Sequence, residues 1–171
     1  MPFAYYKNLN RADKKIYLQS DQVTSLRLPW AKEFKPFIKA LADALKSEDQ
    51  KETQRLSQKL VDALCQVFKV SQVRVKVLAR RPSHDWGELH GLYEHEEGKA
   101  KPVITVWMRT AKRKQVVAFK TYLRTVLHEV LHHFDYTLLQ LEDSFHTEGF
   151  YKRESSLTKQ LLPKALEQEI Q

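Results

Sequence analysis

Between residues 115 and 140 no proline or glycine interrupts the chain. Val116, Val117, Phe119, Leu123, Val126, Leu127, Val130, Leu131 and Phe134 recur there at helical spacing. Apolar positions three and four apart form one broad stripe, so the run predicts a core-facing helix. Upstream the period changes. Residues 73–77 read Val-Arg-Val-Lys-Val, an alternation that predicts a half-buried strand, and Arg81-Pro82-Ser83 ends it. Residues 88–94 predict a second strand and 103–108 a third, with 96–99 as the turn between them. In the third, Ile104, Val106 and Met108 share one face and Val103, Thr105 and Trp107 the other. Three short strands before a long apolar helix predict an α+β fold, a small three-stranded sheet packed on that helix. An exposed edge of such a sheet could take an extended peptide by strand addition.

The first third follows a different pattern. Tyr5, Tyr6, Leu9, Ile16 and Tyr17 predict a short helix with an irregular approach, and residues 26–28 an extended entry before Pro29. Pro36 fits only the first turn of a helix, so one begins near it, with Phe37, Ile38, Leu41 and Leu45 on one side. Residues 47–49 form a polar break with an N-cap, and Leu56, Leu60, Leu64, Val67 and Phe68 mark a second helix. An antiparallel pair is expected, serving as a lid, a cover or an added packing layer. The chain divides into an N-terminal helical segment, 1–69, and a core, 70–171, within one compact unit. Thr147 caps a further helix through Phe150, Leu157 and Leu161 as far as Pro163, and the polar tail from Lys164 is expected to fray.

The long helix carries the chemistry. His128-Glu129-Val130-Leu131-His132 spells H-E-x-x-H, and residues four apart share a helical face. Two imidazoles therefore point at one place, the spacing a zinc ion (Zn2+) accepts from a single helix. Glu129 can reach a water held by the metal without occupying a coordination position, as a general base must. A catalytic zinc needs a third protein ligand, and His146, fourteen residues beyond His132, is the candidate; Glu148 competes with it. Asp135, seven residues after His128, either orients a histidine or lies at the surface. His133 points about 100° from His132 and is expected in packing or at the surface. His84, His90 and His95 show no ligand spacing. Tyr151 could donate to a developing oxyanion or simply pack.

His128, Glu129, His132, His146 and Phe150, four residues beyond the third histidine, together resemble the SprT-like and minigluzincin group of zinc metallopeptidases. Gly91-Leu92-Tyr93 and Val103-Ile104-Thr105-Val106 resemble the hairpin that precedes the active-site helix in that group. The resemblance spans residues 70–162 and none of the N-terminal third. His133 stands where the group usually has a small or apolar residue, and Thr147 where SprT-like proteins usually have glycine. The resemblance implies a zinc-dependent hydrolase of peptide bonds acting on a protein or peptide. His128, His132 and His146 would hold the metal and Glu129 would move the proton.

Composition narrows the setting. The single cysteine, Cys65, cannot form an intramolecular disulfide and is expected to pack in a helix, which fits a reducing compartment. No apolar run reaches membrane-span length and the N-terminus lacks a signal-peptide core, so a cytoplasmic protein is expected. The formal charge is +8, unevenly placed: residues 69–124 hold thirteen bases against five acids, and residues 125–171 four against eight. Lys99, Lys101, Arg109, Lys112, Arg113, Lys114, Lys120 and Arg124 follow one another with no acid between them. Segment 99–124 could therefore meet DNA, or it could be a solvated face. The alternative to a peptidase is a zinc-containing, DNA-associated or protein-binding module with little or no protease activity.

Overall fold

The computed structural model describes residues 1–85, 87–95 and 100–171. A 3-10 turn, Ala4–Asn8, leads into helix α1, Arg11–Gln22, whose first turn is capped by Asn10 accepting from the Asp13 amide at 2.9 Å. Helix α2, Lys35–Lys46, has Pro36 in its first turn, where a missing N–H costs nothing. It closes through Glu48 at φ 61°, and Asp49 then caps helix α3, Gln50–Phe68, by accepting from the Glu52 amide. α2 and α3 pack on each other.

Strands β1, Arg74–Arg80, β4, Gly91–Glu94, and β5, Val103–Arg109, form one sheet in the order β1-β5-β4. β5 runs parallel to β1, with Val75 opposite Ile104, and antiparallel to β4, with Gly91 opposite Val106. The expected strand over 88–94 is split. Gly87–Glu88, β3, pairs instead with Ser83–His84, β2, and the Leu89 amide bonds the Pro82 carbonyl, so only β4 joins the main sheet. The expected turn at 96–99 lies outside the described residues.

Helix α4, Phe119–Thr137, is shorter than the apolar stripe implied. Lys114 turns the chain at φ 53°, Val116 bridges to Arg109, and the Val117 amide donates to Met108, so both valines extend the sheet rather than the helix. Helix α5, Glu148–Leu161, is capped by Thr147, whose hydroxyl accepts from the Phe150 amide. The tail is not frayed. Pro163 precedes helix α6, Lys164–Ile170, which buries Leu166 and pairs Glu169 with Lys35 and Lys39 of α2.

One continuous core joins α2, α3, the sheet, α4, α5 and α6, with Val126, Leu127, Val130 and Leu131 of α4 wholly buried at its centre. The two sheet edges are treated differently. Along β1, α3 presents glutamines at four-residue spacing. Gln54 accepts from the Val77 amide, Gln58 accepts from Val75 and donates to Val73, and Gln50 donates to Val77. Those side chains satisfy backbone groups that an edge strand leaves unpaired. Of the three roles open to the α2–α3 pair, this contact is that of a packing layer, on the edge away from β4. No helix among the described residues is long and apolar enough to cross a membrane.

A buried ion pair ties the remaining helices together. Arg153 of α5 is fully buried and donates to the Ser20 and Val23 carbonyls of α1, to the Ser20 hydroxyl and to Asp135 of α4. Removing one member of such a pair strands the other charge in low dielectric. Arg153→Met should cost about 3–5 kcal/mol in urea unfolding. Arg153→Met combined with Asp135→Asn should be more stable than Arg153→Met alone; equal or lower stability would show the charge of Asp135 to be irrelevant.

Candidate metal centre

His128 and His132 face the same way from consecutive turns of α4, with ring centroids 5.0 Å apart. The chain leaves α4, turns through residues 138–145 and returns. The Thr147 cap that starts α5 sets His146 opposite the pair, its Nε2 2.9 Å from that of His128 and 3.0 Å from that of His132. Ligands around tetrahedral zinc at 2.0–2.1 Å lie about 3.3 Å apart, so both separations from His146 are within a few tenths of an ångström of that spacing. Together these three side chains offer donor atoms within 4.8 Å of one another. Glu148 does not join them; it pairs with Lys152 on the outer face of α5, and that ion pair above all holds its carboxyl down to about 2.

Two of the three imidazoles have their outer nitrogens fixed. His128 Nδ1 donates to Glu154 Oε2 at 2.8 Å, while Arg124 grips the other carboxylate oxygen through Nε and Nη2. Burial works against the Glu154 charge, but the His128 and Arg124 hydrogen bonds hold its pKa below the ordinary value. His132 Nδ1 donates to the Ser144 hydroxyl at 2.7 Å, and that hydroxyl donates to Asp135 Oδ2. Asp135 therefore orients His132 through one intervening hydroxyl rather than directly. With each Nδ1 committed as donor, Nε2 carries the lone pair that a metal needs. Burial, then the neighbouring histidines, pushes His132 down to about 3, and burial also lowers His146, so both are neutral donors near pH 7. Phe150, fully buried, forms the floor, with its centroid 5.0, 4.9 and 5.3 Å from His128, His132 and His146.

Glu129 is 6% exposed and lies against β4. A Cβ on Gly91 would collide with its Oε1 and stand 2.9 Å from its Cγ, so the strand can pass this close only as glycine. Burial, reinforced by the Glu154 charge and opposed by His128, raises the Glu129 carboxyl to about 7. His128, Glu129, Glu154 and Arg124 line one side of a cleft of about 500 Å³, with Leu89, His90 and Gly91 on the other.

The remaining candidates fall elsewhere. His133 is buried, its ring bonded to the Ser71 carbonyl and the Tyr93 hydroxyl, and so packs as expected. His95 stacks on Tyr136 at 4.1 Å, whereas His90 lines the cleft, which its spacing did not foretell. Tyr151 lies flat against His146, 5.8 Å between centroids, with 41% of its surface exposed. In the basic segment Arg109, Lys120 and Arg124 pair with Glu48, Glu167 and Glu154, while Lys112, Arg113 and Lys114 form an exposed turn. Cys65 is buried in α3. The residue that sequence reasoning missed is Glu154. Its signal was present: it shares the inward face of α5 with Phe150, Leu157 and Leu161, a position where an unpaired acid is costly.

A carboxyl whose folded-state pKa is raised holds a proton that the unfolded chain has already released. That stability is complete below the ordinary value of 4.5 and is lost as pH rises through about 7. In metal-free protein, Glu129→Gln should therefore be stabilising near pH 8, by up to about 3 kcal/mol, and close to neutral near pH 4. Paired urea melts at the two pH values measure it, and an equal effect at both would disprove the raised pKa. Comparison with protein-family models, with curated proteins and with solved structures finds no match for this chain.

Proposed function

We propose that the chain is a zinc-dependent metallopeptidase. The observation that carries this is the convergence of three imidazole nitrogens beside a buried carboxyl, Glu129, which is not one of the metal donors. The donor set suits zinc: three nitrogens, outer nitrogens of two rings fixed by acceptors, and an exposed third histidine that leaves one side open. Zinc bound there would supply Lewis acidity, lowering the pKa of a water and polarising the scissile carbonyl.

The chain's own residues do the rest. Glu129 takes the proton of the attacking water as its oxygen bonds to the carbonyl carbon. It then delivers that proton to the amide nitrogen as the C–N bond breaks, yielding a carboxylic acid and an amine. A carboxyl raised to about 7 is suited to both transfers near neutral pH. Glu154 and the Ser144–Asp135 relay keep His128 and His132 in the tautomer that presents Nε2 inward. Among the described residues β4 is the last strand of the sheet, beyond β5, and it passes beside Glu129, so an extended peptide can be aligned with it along the cleft.

Elemental analysis should find one zinc per chain, lost in His146→Ala and kept in Glu148→Ala. The reverse pattern would transfer the third ligand to Glu148. Glu129→Gln should keep zinc while turnover of an unfolded protein or a DNA-bound basic protein falls by about 10²–10⁴. Equal turnover with metal intact would refute the mechanism. If the zinc-loaded protein cleaves neither substrate, yet binds duplex DNA with steep salt dependence that Lys112→Glu, Arg113→Glu and Lys114→Glu abolish, the module reading stands instead.

Gly91→Ala tests the setting of the general base independently. The added methyl must displace the Glu129 side chain or the Thr125 methyl, each within 2.9 Å. Turnover should fall on the order of 10²-fold with zinc content unchanged, because a general base moved by about an ångström no longer meets the water. Unimpaired turnover would mean that β4 yields without moving Glu129.

A further inference from the structure

Phe3, Tyr5 and Tyr151 are each more than a third exposed, and they lie together beside the metal centre. Tyr151 rests flat on His146 and lies 6.1 Å from His128. Phe3 meets Tyr151 edge-on at 6.1 Å and stacks with Tyr5 at 6.4 Å. The segment that brings Phe3 here is held at both ends. The Phe3 amide donates to the buried Tyr17 hydroxyl at 3.0 Å, and the Tyr5 hydroxyl donates to the His146 carbonyl at 2.7 Å. Tyr17 in turn packs against the rings of Tyr5, Tyr6 and Phe145. The N-terminal turn is therefore anchored to the backbone of the third candidate ligand.

Exposed aromatic surface in one contiguous patch is costly unless something covers it. Here it adjoins a groove of about 450 Å³ that starts at Phe3 and Tyr151 and continues past Lys152, Ser155 and Lys159 on the outer face of α5. One ring, Tyr151, borders both the groove and the metal centre. A substrate whose scissile carbonyl lies at the three histidines has its adjacent side chain within reach of this wall. Rings that are rigid and partly stacked already lose little freedom when an apolar group docks on them.

We infer that Phe3, Tyr5 and Tyr151 form a specificity subsite that accepts an aromatic or bulky apolar side chain next to the scissile bond. The N-terminal turn thereby builds one wall of the substrate cleft. This rests on the peptidase reading, and the probes are chosen to separate the two.

The zinc-loaded full chain is titrated calorimetrically with phenylalanine hydroxamate and with alanine hydroxamate, which share the metal-binding group and differ in the side chain. Phenylalanine hydroxamate should bind roughly tenfold tighter or more. Phe3→Ala and Tyr151→Ala should each reduce that ratio severalfold with zinc content unchanged, and Tyr151→Phe, which keeps the ring, should preserve it. Equal affinities in the wild type, or an unchanged ratio in Phe3→Ala, would overturn the subsite. Side-chain discrimination without cleavage of any peptide would keep the subsite and defeat the peptidase reading. Glu129-dependent cleavage without discrimination would do the opposite.

Discussion

The ion pair between Arg153 and Asp135 is the contact on which the centre's geometry depends. Both side chains are fully buried, so each charge would be very unfavourable without the other. Burial raises the Asp135 carboxyl to about 6 against the pull of Arg153 and Ser144, which leaves it ionised near neutral pH. Arg153 also donates to two carbonyls where α1 ends: that of Ser20, which already accepts from the Val23 amide, and that of Val23 itself. One guanidinium thus locks α1, α4 and α5 together. Asp135 passes that constraint through Ser144 to the outer nitrogen of His132. The centre inherits its rigidity from an interaction one layer behind it.

The close approach of α1 has its own requirement. A Cβ on Gly149 would collide with the Asp21 carbonyl oxygen and lie 2.7 Å from the Asp21 carbonyl carbon, and the Gly149 amide donates to the Asp21 carboxylate. Glycine in the first turn of α5 lets α1 sit directly against the segment that carries His146. Gly91 plays the matching part on the other side, allowing β4 to run against Glu129. Two of the chain's four glycines therefore bound the centre, one behind the third histidine and one beside the acid.

The electrostatics of the centre divide its carboxylates by role. Glu154 is gripped by His128 and Arg124 and stays charged, which steadies one imidazole. Glu129, five residues after Glu154's partner Arg124, has burial as its dominant influence and its pKa rises instead. Two acids lining one cleft are separated by hydrogen bonding rather than by residue type. The far edge of the sheet shows the same economy in neutral groups, where α3 glutamines close β1.

The sequence by itself determined the elements whose signal is local. Four-residue spacing put His128 and His132 on one face because an α-helix has 3.6 residues per turn, and alternation of apolar and basic residues marked β1 because strand side chains alternate. The Asp49 and Thr147 caps were legible because a capping side chain satisfies amides only two or three residues away. Only the tertiary structure decided what acts across the chain. It brought His146 to the pair and placed Glu154 on His128 from 26 residues away. It turned Val116 and Val117 into sheet partners, because the Met108 carbonyl and Arg109 were there to pair with them. It made a helix of the tail, because Leu166 found a core to enter. It carried Phe3 to Tyr151, 148 positions along the chain. Hydrophobic period specifies which face turns inward, but not which residues meet there; that depends on close packing among segments far apart in sequence.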